Sequence, residues 1–75
     1  MPELDLHGLY PNEALEKLES FIFACYKKRE NRAKIIYGFG TGKLREEVTG
    51  YLNKHPLVDE VFEEGGNCVI IISNS

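Results

Sequence analysis

Apolar positions along the chain switch between a two-residue and a 3.6-residue repeat, and the switches mark out six elements. Glu3 to Leu6 alternates polar and apolar residues before Gly8, the pattern of a short strand ending in a turn. Pro11 suits the first turn of a helix, and Leu15, Leu18, Ile22 and Cys25 recur at helical spacing, with Ala14 and Phe21 widening the stripe. Glu13 and Glu16 favour the positive end of this helix, while Lys27, Lys28 and Arg29 favour its negative end, which predicts a helix over Pro11 to Lys28. Ala33 to Tyr37 is a short apolar run stopped by glycine, as in a buried strand. From Lys43 to Lys54, Leu44, Val48, Tyr51 and Leu52 share one helical face, and Pro56 marks the stop. Val58 to Glu63 and Cys68 to Ile72 are strand-like, with Glu64, Gly65, Gly66 and Asn67 as a hairpin turn between them.

The predicted order is therefore βαβαββ, an α/β chain folded as an α+β two-layer sandwich. Two right-handed crossovers make the first three strands parallel, the hairpin adds an antiparallel fourth, and both helices fall on one face of the mixed sheet. The other face must carry some of Ile35, Ile36, Val69, Ile70, Ile71 and Ile72, because strand side chains alternate. That face suits a partner, or is simply the ordinary apolar surface of a small protein. Phe23, opposite the stripe of the first helix, raises the same pair of readings.

Seventy-five residues make one domain, 1–75, with 43% hydrophobic and 28% charged residues, which sets aside disordered and low-complexity classes. No apolar run approaches the roughly 20 residues of a membrane span and no secretory leader is visible, so the cytosol is the expected location. Cys25 and Cys68 then read as two reduced, buried thiols. A net charge of −3 argues against indiscriminate nucleic-acid binding, which depends on phosphate neutralisation, and leaves room for a local basic rim of Lys34, Lys43, Arg45 and Lys54.

Chemistry is expected outside the C-terminal ends of the parallel strands, where two unusual segments stop. The first is Leu4-Asp5-Leu6-His7-Gly8. Asp5 and His7, two apart on a strand, face the same way, and a carboxylate beside an imidazole orients it as a proton shuttle. Their structural alternative is a strand-end histidine completing a turn. The second segment, Tyr37-Gly38-Phe39-Gly40-Thr41-Gly42-Lys43, passes from a strand into a helix N-terminus, where free N–H groups and the helix dipole attract anions. It is neither a Walker A motif nor the dinucleotide fingerprint, and its plain alternative is a tight turn capped by Thr41. Lys43 and Arg45 oppose the dipole of their helix, a placement that makes sense beside a bound anion. His55, before Pro56, reads as a helix-end residue without chemistry. Zinc-finger spacing and a serine elbow are absent, whereas Asp5 with substrate phosphates suits a divalent ion such as magnesium.

Together the two segments resemble the Smr domain, the small MutS-related module found at the C-terminus of MutS2 proteins and in stand-alone proteins. Leu4-Asp5-Leu6-His7-Gly8-Leu9 is similar to the first family signature, Glu13-Ala14-Leu15 to its first helix, and Gly38-Phe39-Gly40-Thr41-Gly42 with Leu44-Arg45 to its second signature. His55-Pro56-Leu57-Val58 and Glu64-Gly65-Gly66 resemble its C-terminal third. The resemblance implies a fold like the C-terminal domain of translation initiation factor three and endonuclease activity on DNA or RNA. It links some members to branched or nicked DNA and others to messenger RNA on stalled ribosomes. It also implies that Asp5 and His7 belong to the cleavage centre, and that Gly38, Gly40 and Gly42 hold the phosphate backbone. Three positions depart from the pattern. Tyr37 stands where the second signature begins with histidine, Phe39 replaces a residue that is usually basic, and the link between the last two strands is short.

The leading expectation is an acid–base or metal-assisted phosphodiester hydrolase of low sequence specificity. In it His7 moves the proton, Asp5 orients it or holds a cation, and Tyr37, Gly38, Phe39, Gly40, Thr41, Gly42, Lys43 and Arg45 contact the nucleic acid. Exposed Tyr37 and Phe39 favour RNA, whose unstacked bases they suit. The alternatives are a catalytically silent module that docks on nucleic acid or the ribosome, and an interaction domain that dimerises through the open sheet face or Phe23; for the leading reading a monomer or weak homodimer is expected.

Overall fold

Alternation and helical periodicity place the elements in the expected order in the computed structural model, which describes residues 1–73. These are β1 (Glu3–Asp5), α1 (Pro11–Lys27), β2 (Arg32–Ile36), α2 (Lys43–Lys54), β3 (Val58–Glu64) and β4 (Asn67–Ile72). The sheet order is β1-β2-β4-β3. β1 pairs parallel with β2, and β4 runs antiparallel to both β2 and β3. The first three strands thus point the same way, with β4 inserted between the second and third. Their C-terminal ends lie along one edge, and the candidate site residues lie there, in the turns that follow or in the first turn of α2.

Burial follows the alternation. Ala33, Ile35 and Tyr37 from β2 and its exit, and Cys68, Ile70 and Ile72 from β4, meet Ala14, Leu18, Ile22 and Cys25 of α1 and Val48 and Leu52 of α2 in one core. The open face carries Lys34, Ile36, Val69 and Ile71, all half-buried, beside exposed Phe62 of β3. Ile35, Ile70 and Ile72 belong to the covered face. Phe23 is not isolated either: its ring meets the edge of His55 with centroids 6.3 Å apart.

Boundaries differ from expectation by a residue or so, for local reasons. β1 stops at Asp5, although Leu6 is buried and its N–H still reaches the Ile36 carbonyl at 2.7 Å. α1 ends one residue early, because Arg29 turns left-handed at φ 61° and the Arg29 and Glu30 N–H groups return to the carbonyls of Tyr26 and Cys25. That is a Schellman cap built on arginine where glycine is usual. Glu64 pairs with Asn67, so the hairpin turn contracts to Gly65–Gly66. Both cysteines are free and buried. Desolvation pushes the Cys68 thiol up to about 11 and also raises that of Cys25. Ser75 lies outside the described residues.

His55 does more than sit at a helix end. Its Nδ1 accepts the Leu57 N–H at 3.0 Å, so the neutral ring carries its proton on Nε2 and donates to Glu19 Oε1 at 2.8 Å. Glu19 also accepts from the Tyr51 hydroxyl. This part-buried link ties the end of α2 to α1 and the start of β3.

Candidate nucleic-acid cleavage site

Asp5 and His7 meet as expected, but through a turn and not through strand alternation. The chain bends after Asp5, and a single oxygen, Oδ1, accepts both the His7 backbone N–H at 3.1 Å and its ring Nδ1 at 2.7 Å. An aspartate bonding the backbone two residues on is a common turn device. The ionised carboxylate only accepts, so Nδ1 must donate, and the lone pair of the neutral ring is on Nε2. His7 is largely open, with its side chain 70% exposed. The His7 side-chain bond is the main reason the Asp5 carboxyl lies below the usual carboxylate range; its backbone bond adds to this.

The glycine loop packs against this pair. Gly38 has φ +80°, and a Cβ built on it would lie 3.3 Å from the His7 Cβ, so any side chain there would crowd the first signature by a few tenths of an ångström as well as straining the backbone. The N–H groups of Tyr37 and Gly38 both reach the Gly66 carbonyl, at 3.0 and 2.8 Å, which anchors the loop to the β3–β4 turn. The N-cap of α2 is Gly42, which has no side chain to offer, and Thr41 is one residue too early to cap as expected: its Oγ1 is a long 3.4 Å from the Lys43 N–H. The N-terminus of the helix therefore faces a groove lined by His7, the loop, Lys43 and Arg45, with its dipole unopposed by a capping oxygen.

Three expectations need correction. Tyr37 is not exposed: it is 4% accessible, because β2 alternation carries it to the helix side, where its hydroxyl donates to the Asn67 carbonyl at 3.0 Å. Burial pushes its phenol up to about 12, so it is a structural post under the loop. Arg45 lines the groove, but its Nε donates to Glu63 Oε1 at 2.8 Å, which offsets much of its charge. The basic rim reduces to Lys43 and Arg45: Lys34 lies mid-sheet on the open face and Lys54 at the far end of α2, roughly 16 Å away at 1.5 Å per residue.

Sequence reasoning missed Tyr10. It is 75% exposed and lines the same groove as His7. The signal was available, since a large aromatic precedes Pro11 at a helix entrance where Ser or Asp is usual. Phe39, by contrast, was singled out and is 80% exposed on the groove.

Among the described residues no group of three or more His, Cys, Asp or Glu side chains gathers as a metal site. Both His7 bonds fall on Asp5 Oδ1, which leaves Oδ2 for a cation. A lone carboxylate of this kind, completed by water and substrate phosphates, is one way in which magnesium is commonly held.

A family model described as Smr domain matches residues 4–73. The chain belongs to the Smr family. Among relatives of this Smr chain, the ribosome rescue factor SmrB of Shewanella oneidensis is 34% identical over 73 residues, covering 92% of this chain and 42% of the relative. That of Shewanella putrefaciens is 33% identical over the same span. The chain thus spans well under half the length of the curated relatives it matches. The crystal structure of the Smr domain of Thermus thermophilus MutS2 superposes with a TM-score of 0.93 at 23% identity, over 97% of this chain and 99% of that one. The solution structure of the SMR domain of NEDD4-binding protein 2 gives 0.80 at 24%, over 100% of this chain and 88% of that one. At these identities the structural likeness speaks for the fold, which is the two-layer α+β fold of Smr domains. Among the described residues no helix is long and apolar enough to cross a membrane.

Proposed function

We propose that this Smr domain hydrolyses phosphodiester bonds in nucleic acid with low sequence specificity, RNA before DNA. The observation that carries the reading is the 2.7 Å bond that fixes the His7 tautomer and leaves Nε2 open at the mouth of the glycine-loop groove. A phosphate laid on the loop meets the α2 dipole and Lys43, which stabilise charge developing on its non-bridging oxygens. Nε2 takes a proton from an attacking water as its oxygen bonds to phosphorus, Asp5 stabilises the imidazolium, and the bond to the leaving oxygen breaks as that oxygen takes up a proton from solvent. Magnesium on Asp5 Oδ2 would supply further neutralisation of the phosphate. The name carried by the relatives, ribosome rescue factor, supports the ribosome as partner and the cytoplasm as location, and on that reading messenger RNA is the substrate we assign.

One observation favours a second reading, a catalytically silent docking module. Tyr37 occupies the place of a second histidine and commits its hydroxyl to the backbone, so among the described residues His7 is the one imidazole lining the groove.

The test is a panel of labelled single-stranded RNA, single-stranded DNA, and nicked and branched duplex, each with magnesium or with chelator. Cleavage of RNA in preference to the others is the expected result. No cleavage of any substrate, together with binding that Lys43→Glu weakens, would establish docking in its place.

A further inference from the structure

Tyr10 and Phe39, two of the large apolar side chains open to solvent, line the groove that holds His7. Phe39 is exposed but not unsupported. A Cβ built on Gly65 would lie 3.3 Å from its ring Cε1, and one built on Gly66 3.3 Å from Cε2, so the ring rests on the backbone of the β3–β4 turn. Gly66, with φ +42°, suits glycine for conformational reasons. Gly65 has no such φ, and the ring is what meets a side chain there. The result is a phenyl ring backed on one side by a glycine turn and open on the other, one residue past Gly38, which meets His7.

A phenyl ring neither neutralises a phosphate nor moves a proton, but it does stack, and stacking on a base tolerates any sequence. Given the reading that this groove takes nucleic acid, the geometry points to a base-binding subsite: Phe39, seated on Gly65–Gly66, holds the unstacked base of a nucleotide whose phosphate lies on the loop. Tyr10 is a further aromatic wall of the same groove. Both faces of a base inside a duplex are already covered by its neighbours. The subsite therefore selects single-stranded or locally unpaired nucleic acid, whereas the loop and Lys43 alone grip phosphate without regard to strandedness.

The test measures binding with His7→Ala protein, so that no probe is consumed. The probes are oligoadenylate, an abasic ribose-phosphate oligomer of the same length and charge, and a blunt RNA duplex. Oligoadenylate should bind roughly 5- to 150-fold tighter than the abasic oligomer, the range that one stacked base provides. Phe39→Ala should remove that preference while leaving abasic binding unchanged, Phe39→Trp should keep it, and Gly65→Ala should reduce it by displacing the ring without deleting it. Equal binding of the two single strands, a preference that survives Phe39→Ala, duplex bound as tightly as oligoadenylate, or no binding at all would each overturn the subsite. A base preference in a protein that cleaves nothing would leave the subsite standing and sink the hydrolase reading. Cleavage by the native protein without any base preference would do the reverse.

Discussion

The contact between Gly38 and His7 joins the two signatures, and it can be tested by adding one methyl group. In Gly38→Ala the new Cβ lies 3.3 Å from the His7 Cβ, a separation that forces one of the two to move by a few tenths of an ångström. The left-handed φ of +80° adds a backbone penalty of about 1–2 kcal/mol for any L side chain. In a domain of this size each kcal/mol moves Tm by about 4–8 °C, so a loss of roughly 4–16 °C is expected on thermal unfolding. Gly42 supplies the control. Its φ is +87°, almost the same, and a Cβ there meets nothing within 4 Å. Gly42→Ala should therefore lose similar stability without touching the imidazole. Side-chain nitrogen NMR of His7, which reports the bond from Nδ1 to Asp5, should change in Gly38→Ala and stay as in the native protein in Gly42→Ala. Equal His7 signals in both variants would refute the claim that close packing of the loop positions the histidine.

Other variants probe the frame around the site. Arg29→Gly should stabilise the domain by about 1 kcal/mol in denaturant titration, because it relieves the left-handed arginine of the Schellman cap. Glu19 has its carboxyl held below the ordinary range, first by the Tyr51 hydroxyl and then by His55. A depressed folded-state pKa contributes stability that is fully present above the ordinary carboxylate value and lost as pH falls through the folded one. Tm measured from pH 7 down to 3 should thus fall on the acid side, with a shallower fall in Glu19→Gln. Cys25 and Cys68 are buried with raised thiol pKa values, so a chromogenic disulfide reagent should react with neither in the native protein and with both in denaturant.

The parts of the molecule legible in the sequence are those governed by local patterns. α2 runs from Lys43 to Lys54 as predicted, because a glycine loop precedes it and a proline follows it closely. The strand order within the sheet was open, since a hairpin can place β4 on either side of β3; pairing with β2 resolves it. At the site, the Asp5–His7 pair was legible from spacing and the groove from the glycine loop. The burial of Tyr37 was hidden by its place beside that loop, although the alternation Ala33, Ile35, Tyr37 already pointed inward. Partners far apart in sequence gave no local signal: Glu63, 18 residues from Arg45, and Glu19, 36 residues from His55, are brought together by tertiary packing. The seat of Phe39 on Gly65–Gly66 belongs with these, because a glycine pair in a hairpin looks the same whether or not a ring lies on it.

The central claim is that His7 moves the proton in phosphodiester cleavage. The most direct measurement is the single-turnover rate on labelled single-stranded RNA for native protein and His7→Ala, with circular dichroism confirming equal folding. Because His7 is exposed and packs little of the core, the variant should fold normally and cleave roughly 100-fold or more slowly, the loss expected when a general acid–base group is removed. Equal rates in the two proteins would contradict the account.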